Sequence, residues 1–176
     1  KALIHQTKSA WLQTLASMDH EDDDPGTTWN KDSRERDADR LSPRQAWRAI
    51  QDGLPKDAII SSDIGNNCAI GNAYPTFEEG RKYLAPGLFG PCGYGFPSII
   101  GAKIGNPDTP VVGFAGDGAF GISMNEMTSI GREEWPDVTM VIFRNYQWGA
   151  EKRNSILWYS DNFIGTELDP NLSYAR

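Results

Sequence analysis

Two runs in the second half of the chain are apolar almost without a break, 111-VVGFA-115 and 138-VTMVIFR-144. Such runs, lacking the polar alternation of a half-exposed strand, read as strands covered on both faces. A third, 58-AIISS-62, reads as a short buried strand of the same kind. Between them the period changes. Residues 95–105 (GFPSIIGAKIG) have the small-residue character of a helix packed closely on a sheet. Over roughly 121–134, Met124, Met127, Ile130 and Gly131 fall along one side of a helix. Ahead of the first strand, Ser42-Pro43-Arg44-Gln45 has the form of a capping box with proline at the first helical position. Trp47, Ile50 and Leu54 give that helix an apolar face, and Gly53 is placed to end it. Residues 2–18 suit another helix, with Leu3, Trp11, Leu12 and Leu15 as apolar contacts. Residues 63–97, rich in glycine, proline and asparagine, read mostly as loop, with a helical turn at 77-FEEGRKYL-84. Buried strands alternating with helices predict an α/β fold, a parallel sheet flanked by helices.

Composition narrows the function without naming it. A chain of 176 residues is enough for one domain with a real core. Its net charge of −7 argues against nucleic acid as a partner, because a phosphate backbone needs a basic footprint. The segment 20-HEDDDPGTTWNKDSRERDADR-40 holds eight of the 24 acids and reads as a solvated loop. No apolar run approaches the ~20 residues of a membrane span, and no stretch of these residues reads as a signal peptide. Cys68 and Cys92 lack metal-ligand spacing, read as buried packing residues, and suit a reducing cytoplasm. His5 and His20 have no partner pattern. The expected organisation is a linker helix and charged loop over 1–41, following another domain, and a single domain over 42–176 cut short at its C-terminal end.

Chemistry concentrates in 113-GFAGDGAFGISMNE-126. Gly116, Gly118 and Gly121 make a G-x-G-x-x-G spacing after a strand, the form of a loop that cradles phosphates. Asp117 sits between the first two glycines, where a bare carboxylate would repel a pyrophosphate. A divalent cation between the two removes the conflict. Asn145 follows the next strand, so on adjacent strands both side chains reach the carboxyl-end crevice where open parallel sheets bind ligands. A carboxylate, an amide oxygen, phosphate oxygens and water form a hard shell that suits Mg²⁺ or Ca²⁺. The rival readings are a Rossmann dinucleotide loop, with Arg144 as a reader of a 2′-phosphate, and an unliganded structural turn.

G-D-G followed after 26 residues by Asn resembles the signature of the thiamine-diphosphate enzymes. The stretch 86-PGLFGPCGYGFPSIIGAK-103 is similar to the segment packing against the aminopyrimidine in acetolactate synthase-like members, and 63-DIGNN-67 to the upstream diphosphate loop. More narrowly, 22-DDDPGTTWN-30, 59-IISSDIGNNCAIGNAYP-75, 87-GLFGPCGYGFPSIIGAK-103 and 142-IFRNYQWGAEKRN-154 resemble the sulfoacetaldehyde acetyltransferase family.

The resemblance implies a pyrophosphate-binding domain with thiamine diphosphate and Mg²⁺ as cofactors. Asp117 and Asn145 become side-chain metal ligands and Gln147 a backbone-carbonyl ligand. Gly116, Gly118 and Ala119 line the diphosphate, with Ile64, Gly65, Asn66 and Asn67 opposite; Trp148 and Gly149 complete the cofactor-binding set. Gly90 offers its carbonyl to the cofactor's amino group, and Cys92 occupies the place of a bulkier apolar residue that keeps the cofactor bent. Many relatives carry Asn-Asn where this chain has Arg144-Asn145. The implied reaction, in taurine metabolism, converts sulfoacetaldehyde and phosphate to acetyl phosphate and sulfite in a cytoplasmic homodimer or homotetramer. The activating glutamate belongs to another domain in that family, so no catalytic residue is expected in this chain. On the residues alone, Trp148 either lines a pocket or covers the core edge. Glu151, Lys152 and Arg153 read as a solvated turn, or as a source of cations for phosphate or sulfonate.

Overall fold

A computed structural model of the chain describes residues 43–73, 82–130 and 137–174. The expected helix over 2–18, the charged loop, Ser42 of the capping box and residues 131–134 lie outside these. Nearly all described residues belong to one compact unit, Trp47–Arg176.

In chain order the elements are α1 (Pro43–Gly53), β1 (Ile59–Ser62), α2 (Asn66–Ala73), β2 (Lys82–Leu84), α3 (Gly95–Gly105), β3 (Val111–Gly116), α4 (Asp117–Ser123), a 3₁₀ turn (Met124–Glu126), α5 (Met127–Ile130), β4 (Thr139–Phe143) and α6 (Gly149–Trp158). The four strands form one sheet in the order β2-β1-β3-β4, and every pair is parallel. The expected parallel sheet flanked by helices is therefore what the chain forms.

Each face of that sheet has its own core. The alternation of side chains along a strand sends Ile59, Val111 and Ala115 to one face, where Phe96, Ile99 and Ile100 of α3 and Phe120 of α4 close over them. Ile60 and Phe114 point the other way, onto Trp47 of α1, with Ile50, Leu54, Ile70 and Phe143 around them. The Trp47 and Phe114 rings lie 4.3 Å apart between centroids. Both are essentially removed from water, and each contributes about 1.5–3 kcal/mol by burial. The apolar face predicted for α1 is the face that packs.

Four local expectations need correction. Among the described residues of 63–97, loop is not the whole: α2 and β2 lie inside them. The segment 82–84 is a strand rather than the end of a helical turn, because Lys82, Tyr83 and Leu84 pair with Ile59, Ile60 and Ser61. The G-D-G segment is not a free turn either: Gly116 ends β3, and Asp117 and Gly118 open α4 directly. The helix expected over roughly 121–134 is divided, up to Ile130, among α4, the 3₁₀ turn and α5, and Met124 and Met127 on its side are exposed.

Candidate functional site at the carboxyl ends of β1, β3 and β4

The strand order reverses direction between β1 and β3: the chain runs outward from β1 to β2, and from β3 outward to β4. That reversal opens a crevice beyond the carboxyl ends of the two central strands. Asp63 follows β1 and Asp117 follows β3, and both are buried. A buried carboxylate is costly unless it is hydrogen-bonded, and both are. Asp63 accepts N–H bonds from Ile64 at 2.8 Å, Gly93 at 3.0 Å and Gly95 at 2.7 Å. It thereby ties the 63–65 loop to the 90–95 segment. Asp117 accepts from Gly118 at 3.1 Å through Oδ1 and from Tyr146 at 2.8 Å through Oδ2.

The Tyr146 bond ties Asp117 to the backbone next to Asn145. Gly116 pairs with Phe143, so β3 and β4 are neighbours and end level. The N–H that reaches Asp117 is that of the Asn145–Tyr146 peptide. Tyr146 adopts φ 61, a left-handed conformation that costs a side-chain-bearing residue about 1–2 kcal/mol. It turns the chain so that the Tyr146 N–H faces Asp117 while its carbonyl accepts from Leu168 at 2.8 Å. Trp148 N–H donates to Thr166 at 2.8 Å, and Gln147 pairs with Glu167 across an antiparallel bridge. In that bridge geometry the Gln147 carbonyl is left out of the ladder.

Close approach brings the remaining expected residues together. A Cβ on Gly118 would stand 2.8 Å from the Trp148 ring, so only glycine lets that indole lie on the start of α4. A Cβ on Gly149 would lie 2.8 Å from Asn145 Nδ2 and 3.0 Å from Asn66 Nδ2; the two amides converge at the start of α6. Gly90 has φ 57 and rests against the side chain of Ile64. Asn67 is buried at the start of α2, its Nδ2 donating to Ser62 Oγ at 3.1 Å. Its Oδ1 has no partner among the described residues. A buried acceptor is matched only by a hydrogen-bond donor, so this one carries no preference for an anion.

The donor set fits a hard dication. Among the described residues no three His, Cys, Asp or Glu side chains cluster as a metal site. A cation here would be held by one carboxylate, one amide, one carbonyl and ligand oxygens, the composition that suits Mg²⁺. Asp117 accepts two bonds where a carboxylate offers about four lone-pair sites. Asn145 Oδ1 accepts from Gln147 N–H at 3.2 Å and retains a second lone pair.

Cys68 is buried as expected, whereas Cys92 is exposed rather than packed. Both thiols are pushed above their usual range, first by burial of the sulfur and then, among other causes, by the Asp63 charge. Glu151, Lys152 and Arg153 lie within α6, not in a turn, and Lys152 pairs with Glu167. Arg144, the expected reader of a 2′-phosphate in the Rossmann reading, donates instead to the Pro170 carbonyl. Sequence reasoning missed three contributors: Asp63, the 166–170 segment, and Tyr174, whose hydroxyl donates to the Asp117 carbonyl at 3.1 Å. Only Asp63 carried a signal, as an acid placed directly after a buried strand.

Comparison with known proteins gives the fold and the family. Against a Rhodococcus jostii RHA1 thiamine diphosphate-dependent 4-hydroxybenzoylformate decarboxylase, the fold superposes with a TM-score of 0.69 at 24% identity, over 79% of this chain and 26% of that one. The chain is 81% identical over its whole length to a probable sulfoacetaldehyde acetyltransferase of Rhizobium meliloti, and 76% identical over 99% of its length to a sulfoacetaldehyde acetyltransferase of Roseovarius nubinhibens. It spans 30% and 29% of the length of those two relatives. Residues 63–176 match the family described as thiamine pyrophosphate enzyme, C-terminal TPP binding domain. The chain belongs to the thiamine pyrophosphate enzymes and carries their C-terminal cofactor-binding domain.

Proposed function

We propose that this chain is the diphosphate- and metal-binding part of an acetyltransferase that converts sulfoacetaldehyde and phosphate to acetyl phosphate and sulfite. The observation that carries the substrate assignment is the 81% identity over the entire chain to a protein of that name. Asp117 and Asn145, with the Gln147 carbonyl, hold Mg²⁺. Gly116, Gly118 and Ala119 present the start of α4, and its backbone N–H groups, to the diphosphate. Ile64, Gly65, Asn66 and Asn67 take the opposite side. Gly90 supports the amino group of the cofactor through its carbonyl. Cys92, Trp148 and Gly149 border the same crevice. When bound, thiamine diphosphate supplies a nucleophilic ring carbon and an electron sink. This chain's residues would hold the dication that offsets the diphosphate charge and would fix the cofactor's orientation. The activating glutamate, a partner subunit and a cytoplasmic setting belong to the same reading.

The test uses full-length protein loaded with thiamine diphosphate and Mg²⁺. Sulfoacetaldehyde and phosphate should yield sulfite and acetyl phosphate in equal amounts, and pyruvate should be turned over poorly. Rapid use of pyruvate without sulfite release would assign the protein to another branch of the family. The isolated 176-residue chain should bind the cofactor weakly and release no sulfite; sulfite release by the chain alone would overturn the half-site reading.

A further inference from the structure

The contacts between 144–148 and 166–170 keep one antiparallel register. Trp148 faces Thr166, Gln147 faces Glu167 and Tyr146 faces Leu168. Continuing outward, Arg144 comes level with residue 170. That residue is proline and has no N–H to donate to a backbone rung. The Arg144 side chain supplies a rung instead: its Nη2 donates to the Pro170 carbonyl at 2.8 Å. The same guanidinium lies over the Tyr146 ring, 4.3 Å from its centroid. Arg144 thus grips both the ring of the left-handed residue and the 166–170 segment, which bonds that residue's carbonyl. The N–H of the same residue bonds Asp117.

We propose that Arg144 is a positioning residue, stacking on Tyr146 and bonding Pro170 so that the Asn145–Tyr146 peptide stays turned toward Asp117. The assignment rests on the metal reading of Asp117 and Asn145. It accounts for a charged residue beside the metal position without giving it a ligand role. The Arg144 fork is occupied by a carbonyl and a ring rather than aimed at an anion. Lysine cannot reproduce this, because an ammonium has neither the planar face nor the fixed fork of a guanidinium.

The decisive experiment is rescue by glycine, which adopts a positive φ without help. In full-length protein, thiamine diphosphate binding is followed by calorimetry against Mg²⁺ concentration, and Mn²⁺ binding by electron paramagnetic resonance. Arg144→Met should raise the Mg²⁺ needed for half-saturation about tenfold, the range expected when a support of a metal ligand is lost. Arg144→Lys should recover only part of it. Adding Tyr146→Gly to Arg144→Met should restore the wild-type requirement. If Arg144→Met leaves the requirement unchanged, or glycine gives no rescue, Arg144 does not act through the Tyr146 backbone. Should Arg144→Met fail to fold, Arg144→Lys with and without Tyr146→Gly decides the same question. Asp117→Asn separates the two claims. An unchanged Mg²⁺ requirement there removes the metal reading itself, whereas a lost requirement beside a normal Arg144→Met removes only the positioning role.

Discussion

Asp63 and Asp117 hold the same address on neighbouring strands. Each follows the last residue of a central parallel strand, each is buried, and each accepts backbone N–H bonds. They differ in where those bonds come from. Two of the three to Asp63 arrive from Gly93 and Gly95, and the Gly95 backbone is so close that a Cβ there would lie 3.1 Å from Asp63 Oδ2. That carboxylate is a tie between β1 and the entry to α3. Asp117 accepts one bond from the residue beside it and one from Tyr146. About half of its acceptor capacity remains for a ligand. A strand end locates a crevice; the tally of backbone donors tells which acid in that crevice is still available.

The comparison breaks most visibly on amide substitution. Asparagine matches aspartate in size but turns one acceptor into a donor. Asp63→Asn would set an NH₂ against a backbone N–H and weaken the other charge-assisted bonds, at a cost of about 3–5 kcal/mol. Asp117→Asn loses less stability, about 1–3 kcal/mol, but should abolish Mg²⁺-dependent cofactor binding. Urea denaturation and calorimetry on the two full-length variants check both halves. A stable Asp63→Asn that has lost cofactor binding would exchange the two roles.

The second test sharpens the Asp117 side. Gly118→Ala drives a methyl into the Trp148 ring, 2.8 Å away. Overpacking of that kind costs about 1–3 kcal/mol. Trp148→Ala should recover part of the loss, since the two residues are in contact and their effects are coupled. Strictly additive stabilities across the double-mutant cycle would show that the ring moves aside freely.

The Asp63 side has an alkaline signature. Burial pushes the Tyr83 hydroxyl, on the strand beside β1, up to about 12. The folded state then holds a proton that the unfolded chain releases near pH ~10. With more protons bound in the folded state, stability falls as pH rises across the window from ~10 to about 12 and is unaffected below it. Tyr83→Phe should flatten that decline in unfolding experiments run across the window, at a neutral-pH cost of about 1 kcal/mol. Tyr174 is raised as well, first by burial and then by the Asp117 charge, so the slope diminishes rather than vanishes. A decline as steep in Tyr83→Phe as in wild type would remove Tyr83 from the account.

What could be read from the sequence follows the range of the interactions involved. β1, β3 and α3 announce themselves because their burial is written into contiguous residues; β4 shows the same apolar run but is the edge strand of the described sheet and only half-buried, not covered on both faces as that run suggests. The crevice was legible because Asp117 and Asn145 each follow such a strand. Two elements on the β1 side were not. α2 is built from NNCAIGNA, a poor helix by propensity, and it starts on the Gly65 carbonyl with Asn67 bonded back to Ser62. β2 is three residues long, and its pairing with β1 makes it a strand. The role of Asp63 depends on glycines thirty residues away, and the left-handed Tyr146 on Leu168 in the 166–170 segment. No local pattern encodes either.

The smallest expected effect is at the rim. Lys152 pairs with Glu167 and lies 5.2 Å from the Phe163 ring centroid; the Glu167 side chain is well exposed to water and that of Lys152 partly so. Water screens such a pair, so Lys152→Met should change stability by less than about 1 kcal/mol. Raising salt should shrink even that difference. The same substitution tests the older alternative for this base. If Lys152 only braces α6 against the 166–168 segment, the apparent KM for phosphate stays at its wild-type value in Lys152→Met and in Glu167→Gln alike. If Lys152 also draws phosphate to the crevice, the two variants diverge. Losing the lysine raises KM, while losing Glu167 frees the ammonium and lowers it. Opposite movement of KM in this pair would extend the anion-binding surface from the start of α4 to α6, and equal values would leave the buried strand ends as the whole of it.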